Sequence, residues 1–154
     1  MKILTVCLGN ICRSPMAEGI LRHLARERGL SLITDSAGTS DYHVGEAPDP
    51  RAQAAMRRKG MDIGDLRARQ FVAADYTHFD VILAMDASNL RNMHALAPNA
   101  DLASKARLVM EHAPHHPLRE VPDPYFGGDE GFDAVHAMLT EALSALLDDL
   151  ERTR

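Results

Sequence analysis

The sequence is poor in three features that mark common classes of protein: cysteine, long apolar runs and a surplus of basic charge. Its 17 lysines and arginines are outnumbered by 22 aspartates and glutamates, whereas nucleic-acid-binding domains usually carry a clear basic surplus. No apolar run approaches the ~18 residues that cross a bilayer, and the first residues do not resemble a signal peptide. We therefore expect a cytoplasmic protein that binds neither nucleic acid nor membranes.

Only two cysteines are present, Cys7 and Cys12, and they lie five positions apart. A disulfide between them would close a very short loop and add little stability. The 154 residues, 45% hydrophobic and 25% charged, suffice for one domain over 1–154 without such staples. The cysteines are therefore candidates for chemistry rather than for architecture.

Short apolar runs alternate with helical patterns along the chain. Strands are expected near 3–8, 32–36, 79–85 and, more weakly, 106–110. Helices are expected to begin at Ser14, Asp49 and Asp86, residue types that suit an N-cap. The last helix carries an apolar stripe of Phe132, Val135, Leu139, Leu143, Leu146 and Leu150. This alternation predicts a parallel α/β sheet with helices on both faces and ligands at the carboxyl ends of the strands.

The loop after the first strand contains the strongest chemical signal. Cys7 and Arg13 are separated by five residues, and the loop ends where the first helix begins. Backbone N–H groups in a tight loop and at a helix start favour an anion, and the same field favours a thiolate over a thiol. Arg13 adds a rigid two-pronged donor for phosphate oxygens. The pattern predicts a phosphate-binding loop with an activated nucleophile.

The remaining loop residues have supporting roles in this interpretation. The predicted loop comprises Leu8, Gly9, Asn10, Ile11, Cys12, Arg13 and Ser14. Ser14 can donate a hydrogen bond toward the sulfur of Cys7 and ease its departure from phosphate. Gly9 and Asn10 tolerate the sharp backbone turn that encloses an anion.

This loop resembles the one in low-molecular-weight protein tyrosine phosphatases. Further segments at 36–39, 48–52, 68–70, 85–86 and 123–125 fall in that family's order and spacing. The resemblance implies a single-domain three-layer sandwich, flavodoxin- or Rossmann-like, with a four-stranded parallel sheet of order 2-1-3-4. It also implies phosphotyrosine hydrolysis through a phosphocysteine on Cys7, without a metal or cofactor.

The resemblance implies further site residues outside the loop. Asp123 takes the position of the general acid, and the prolines on either side of it predict a stiff loop. Tyr42 and Tyr125 take the positions of the aromatic walls for the substrate ring. The nearness of Cys12 to Cys7 suggests a reversible disulfide that protects the nucleophile from overoxidation.

Two positions depart from the family pattern. Phe126 stands where many members have a second tyrosine, so a hydroxyl and a phosphorylation site are absent there. Leu66 stands where many members have a histidine that bonds to the loop asparagine, so Asn10 is expected to need another partner.

Three alternatives remain open. An arsenate reductase of the same fold needs further cysteines, and a protein arginine phosphatase usually has threonine at the position of Ile11. A non-catalytic phosphoprotein-binding module needs neither a thiolate nor Asp123.

The expected partner is a phosphotyrosine-containing protein, with a bacterial tyrosine kinase as one candidate. The chain itself is expected to be a monomer or a weak dimer. The closely spaced histidines at 112, 115 and 116 lack regular ligand spacing, so no metal site is expected.

Overall fold

The fold is built on a four-stranded parallel sheet, as predicted. The computed structural model describes residues 1–153. The strands are β1 (Lys2–Cys7), β2 (Ile33–Gly38), β3 (Val81–Ala84) and β4 (Ala106–Leu108). Their spatial order is β2-β1-β3-β4, which confirms the predicted order, and β1 pairs in parallel with both β2 and β3. The sheet therefore reverses its winding beside β1, the kind of position where parallel sheets bind ligands.

Helices cover both faces of this sheet. They are α1 (Arg13–Arg28), α2 (Pro50–Arg58), α3 (Asp75–His78), α4 (Ala87–His94), α5 (Ala100–Ala103) and α6 (Asp129–Arg152), with short 3-10 helices at Val109–His112 and Pro124–Phe126. One apolar cluster joins the sheet to α1, α2 and α6, and a second lies on the opposite face. Neighbouring residues of β1 alternate between them: Ile3 belongs to the first cluster and Leu4 to the second. The apolar stripe of α6 packs into the first cluster.

Several predicted boundaries were wrong by one or two residues. The third strand begins at Val81 because Phe79 ends α3 and donates its backbone N–H to Asp75. The fourth strand stops at Leu108, where the chain turns into a 3-10 helix. Four-residue helices such as α3 and α5 were missed, since one turn is too short to show a helical period. Among residues 1–153, no helix is both long and apolar enough to cross a membrane.

Candidate active site

The predicted phosphate-binding loop joins the end of β1 to the start of α1. Cys7 is the last residue of β1 and Arg13 the first of α1, and both are buried. Asn10 has a φ of 58°, the left-handed region that Asn tolerates better than most residues. Gly38 lies so close that a Cβ there would stand 2.7 Å from the carbonyl oxygen of Leu8. The loop is thus held against the end of β2.

The expected N-cap role of Ser14 was wrong. The first helix begins at Arg13, with Cys12 at the N-cap position and without a side-chain cap bond. The hydroxyl of Ser14 instead lies 3.1 Å from the sulfur of Cys7. Ser14 is one residue inside the helix, and its hydroxyl faces the loop instead of capping the helix amides.

The sulfur of Cys7 lies among polar groups although its side chain is only 3% exposed. Besides the contact with Ser14, the backbone N–H of Asn10 donates to this sulfur at 3.3 Å. Donors directed at a buried sulfur stabilise the thiolate, which is the nucleophilic form. The surroundings of Cys7 therefore fit a nucleophile better than an inert core thiol.

The side chain of Asn10 connects the loop to three segments. Its amide nitrogen donates to the hydroxyl oxygen of Ser14 at 2.7 Å and to that of Ser36 at 3.0 Å. Its carbonyl oxygen accepts from the backbone N–H of Arg69 at 3.0 Å. Leu66, at the position of the family's histidine, is a partly buried residue packed on the core. The hydrogen-bonding capacity of Asn10 is met without a histidine there.

Arg13 is held by two groups at the edge of the cleft. Its NH1 group donates to Asp86 Oδ2 at 2.7 Å and to the carbonyl oxygen of Val121 at 3.0 Å. Burial opposes the charged form, but the nearby Cys7 and Asp86 together raise the pKa of the Arg13 guanidinium above its ordinary value. The positive charge is therefore permanent and its orientation fixed.

Asp123 approaches the same place from the loop before α6. Its Oδ2 lies 3.8 Å from the NH2 group of Arg13, and its Oδ1 accepts the backbone N–H of Tyr125 at 3.1 Å. Upstream, Val121 donates its N–H to the carbonyl oxygen of Met85 at 2.9 Å. The side chain of Asp123 is 39% exposed, so it stands at the mouth of the site with access to water.

Cys7, Arg13 and Asp123 line one cleft of about 250 Å³. Its lining comprises Cys7, Leu8, Gly9, Ile11, Cys12, Arg13, Tyr42, His43, Asp123, Tyr125 and Phe126. Tyr42 is 74% exposed and Phe126 is 91% exposed, and the rings of Tyr125 and Phe126 meet edge to face at 5.0 Å. The mouth is therefore aromatic, which suits a planar substrate ring.

Sequence reasoning missed some residues at the site. His43 lies against Gly9 and lines the cleft, and its Nδ1 is 2.9 Å from Glu46 Oε2. Asp86 was expected mainly as a helix cap, yet it also holds Arg13. Its place directly after the third predicted strand, at the ligand-binding edge, was the available signal.

Cys12 lines the same cleft. Burial, followed by the nearby negative charge of Asp49, raises the pKa of the Cys12 thiol far above its ordinary value. Both cysteines are free thiols in the structure. Within residues 1–153, no three histidine, cysteine or acidic side chains are grouped so as to hold a metal ion.

Comparison with known proteins agrees with this geometry. Residues 2–154 match the family model for low molecular weight phosphotyrosine protein phosphatase. A Synechocystis sp. protein provisionally named a low molecular weight protein-tyrosine-phosphatase is 45% identical over 152 residues, covering 97% of this chain and 96% of that protein.

Solved structures give the same result. A protein tyrosine phosphatase from Entamoeba histolytica matches with a TM-score of 0.94 at 37% identity, covering 99% of this chain and 98% of that one. The Drosophila arginine phosphatase DARP matches with a TM-score of 0.90 at 35% identity, covering 97% and 98%. The match over nearly the whole chain shows that this protein belongs to the low molecular weight phosphotyrosine protein phosphatase family.

Proposed function

We propose that this chain hydrolyses phosphotyrosine in proteins, with Cys7 as the nucleophile, Arg13 as the phosphate clamp and Asp123 as the general acid. One observation carries the proposal: a buried, hydrogen-bonded sulfur, an oriented guanidinium and a carboxyl group converge on one aromatic-rimmed cleft. Family membership supports the same reaction.

In the first step the thiolate of Cys7 attacks phosphorus in line with the leaving oxygen. The S–P bond forms as the P–O bond to tyrosine breaks, and Asp123 gives its proton to the departing phenolate oxygen. Arg13 and the loop N–H groups stabilise charge on the three equatorial oxygens of the transition state. Asp86 and Val121 hold the guanidinium so that it need not reorganise.

In the second step water cleaves the phosphocysteine. Asp123, now a carboxylate, accepts a proton from the attacking water as the S–P bond breaks. The sulfur of Cys7 leaves as a thiolate, and the hydroxyl group of Ser14, 3.1 Å away, supports the charge that returns to it. Inorganic phosphate departs and the acid form of Asp123 is restored.

The aromatic mouth supports the choice of phosphotyrosine. Tyr42 and Tyr125 line the cleft and would contact the phenyl ring, while the nucleophile lies beneath them. Phosphoserine is shorter and has no ring, so it could not make these contacts. We extend the proposal to a bacterial tyrosine kinase as one candidate substrate, to a monomer or weak dimer, and to a cytoplasmic location.

The same proposal gives Cys12 the role of protecting Cys7 from overoxidation. A peroxide could oxidise the Cys7 thiolate to a sulfenic acid, the peroxide itself being reduced to water or an alcohol. The sulfur of Cys12 would then attack the sulfenic sulfur, forming the disulfide as water leaves. The raised pKa of Cys12 keeps it protonated during turnover, so it would not compete as a nucleophile.

Arginine phosphatase activity is the second candidate, because the Drosophila arginine phosphatase shares the fold. Ile11 lines the cleft as an aliphatic side chain, and a threonine there would instead present a hydroxyl group. This difference favours phosphotyrosine.

Hydrolysis of matched peptides tests the proposal. Peptides of one sequence carrying phosphotyrosine, phosphoserine or phosphoarginine are incubated without added metal, with wild type and Cys7→Ser. We expect release from phosphotyrosine alone, lost in Cys7→Ser by at least ~10⁴-fold, as for other covalent nucleophiles. Preference for phosphoarginine would overturn the interpretation of Ile11. Absence of any release would leave a phosphoprotein-binding module.

A further inference from the structure

Arg51, in the first turn of α2, contacts the loop that carries Asp123 although it is not among the residues that line the cleft. Its NH2 group donates to the carbonyl oxygen of Tyr125 at 2.9 Å, and its NH1 group donates to that of Gly127 at 3.3 Å. Both carbonyls lie just after Asp123. One guanidinium thus fixes two backbone points on the exit side of the acid.

Arg51 is itself fixed by Asp49. Its Nε donates to Asp49 Oδ1 at 3.1 Å and its NH2 donates to Asp49 Oδ2 at 3.0 Å, a fork-on-carboxylate arrangement. Burial opposes ionisation of this carboxyl, yet the hydrogen bonds from Arg51 lower the pKa of Asp49 below its ordinary value. Asp49 is therefore a carboxylate across the neutral pH range.

Asp49 in turn contacts the phosphate-binding loop. Its backbone N–H donates to the carbonyl oxygen of Ile11 at 2.8 Å, while its side chain caps α2. The connection therefore runs from Ile11 through Asp49 and Arg51 to Tyr125. It joins the loop that holds the nucleophile to the loop that holds the acid.

Arg51 also contacts two aromatic rings near the Asp123 loop. Its guanidinium carbon lies 5.5 Å from the ring centre of Tyr125 and 4.9 Å from that of Phe132. These distances fall within the range of cation–π contacts. Phe132 is fully buried in α6, so it offers Arg51 a fixed surface.

The entry side of the acid loop is anchored separately. Val121 is bound by the carbonyl oxygen of Met85 and by Arg13, and Glu120 accepts the backbone N–H of Ala87 at 2.6 Å. Asp123 lies between this anchor and the two carbonyls held by Arg51. The segment that carries Asp123 is therefore anchored on both sides.

From these contacts we propose that Arg51 is a positioning residue for the general acid: through Asp49 it ties the exit of the acid loop to the phosphate-binding loop and holds the Asp123 carboxyl over the leaving oxygen. The inference rests on the proposed function, because it assigns Arg51 a part in the acid step. A displacement of ~1 Å at a reacting group can cost about 10²-fold in rate.

The test is Arg51→Met, which keeps the aliphatic stem and removes every donor. Rates of wild type and variant are measured on aryl phosphates whose leaving groups range from good to poor. We expect a loss of about tenfold to hundredfold on poor leaving groups, which need a proton, and less than about threefold on good ones. In an Asp123→Ala background, Arg51→Met should cost less than about threefold on every substrate, because the acid is already gone.

Arg58→Met is the matched control, since Arg58 is on the same helix and donates to the exposed Asp133. We expect its rates to equal those of wild type. If Arg51→Met does not fold, Arg51→Lys serves, because an ammonium has three N–H donors on one atom and cannot replace the four hydrogen bonds that the planar guanidinium donates. Its smaller loss should still grow as the leaving group worsens.

Three results would overturn this inference. The first is an equal loss on good and poor leaving groups, which marks a general structural role. The second is an undiminished Arg51→Met effect in the Asp123→Ala background. The third is phosphotyrosine hydrolysis that depends on Asp123 but not on Arg51, which would defeat this inference and leave the proposed function standing. A wild type without activity would defeat the proposed function.

Discussion

Buried Arg13 and partly buried Asp86 form an ion pair in which the one carboxyl group of Asp86 contacts two helices. Oδ2 of Asp86 accepts from Arg13 NH1 at 2.7 Å, and Oδ1 accepts the backbone N–H of Asn89 at 2.7 Å, which caps α4. The residues are far apart in sequence but lie at adjacent strand ends, because β1 pairs with β3. The ion pair leaves the NH2 group of Arg13 directed toward Asp123, 3.8 Å away.

Asp86→Asn should separate these two roles. Asparagine is as good an N-cap as aspartate, but it does not supply the charge that orients Arg13. We expect kcat/KM on a phosphotyrosine peptide to fall by about tenfold, since hydrogen bonds to charged groups contribute roughly 1.5–3 kcal/mol. Asp86→Ala should show the same fall in kcat/KM. Because it also removes the N-cap of α4, its free energy of unfolding, measured in urea, should be ~1 kcal/mol below that of Asp86→Asn. Full activity in Asp86→Asn would contradict the claim that the charge of Asp86 orients Arg13.

Asn10 should matter to stability through both its backbone and its side chain. Asn10→Ala removes bonds to Ser14, Ser36 and Arg69 and places alanine at a φ of 58°. We expect the free energy of unfolding to fall by about 2–4 kcal/mol, combining left-handed strain with unsatisfied buried groups. Asn10→Gly, which adopts this φ without strain, should lose about 1 kcal/mol less. Equal losses in urea denaturation would mean that the backbone conformation contributes nothing.

Buried His136 should make stability depend on pH. Burial first, and then the positive charge of Lys59, lower the pKa of His136 below its ordinary value of 6.5, although Asp133 opposes the shift. Above pH 6.5 the imidazole is neutral in both folded and unfolded chains, so its contribution is fully present. As pH falls through 6.5 toward the lower folded pKa, the unfolded chain takes up a proton first, and stability is lost.

Variants can isolate this histidine in thermal unfolding between pH 5 and 8. His136→Gln should flatten the fall in stability on the acid side of that range. The matched control is His78→Gln, at an exposed histidine, which should keep the wild-type slope. The same slope in wild type and His136→Gln would show that His136 is not responsible.

The sequence was enough to predict the features that depend on neighbouring residues. Cys7 and Arg13 are brought together by a single loop, so their spacing and the following helix predicted that both would line one site at the start of α1, as they do. That this site binds phosphate stays a prediction. The stripe from Phe132 to Leu146 predicted the buried face of α6, because a long helix shows its period clearly. The sheet order came instead from resemblance across the whole chain.

Features that depend on distant contacts could not be predicted in the same way. Ser14 is a good N-cap type next to a proline, and only the path of the loop turns it toward Cys7. Arg51 looks like an ordinary helix residue, and its hold on Tyr125 spans 74 positions. Phe79 has strand propensity but ends a helical turn, since tertiary structure overrides weak local preference.

The most direct test of the proposed mechanism is the chemical identity of the intermediate. Wild type is mixed with a phosphotyrosine peptide, quenched within one turnover, and mapped by mass spectrometry for the residue that carries phosphate; Cys7→Ser and Cys12→Ser are treated in parallel. We expect phosphate on Cys7 in wild type and in Cys12→Ser, and none in Cys7→Ser. Phosphate on another residue, or unchanged turnover in Cys7→Ser, would contradict it.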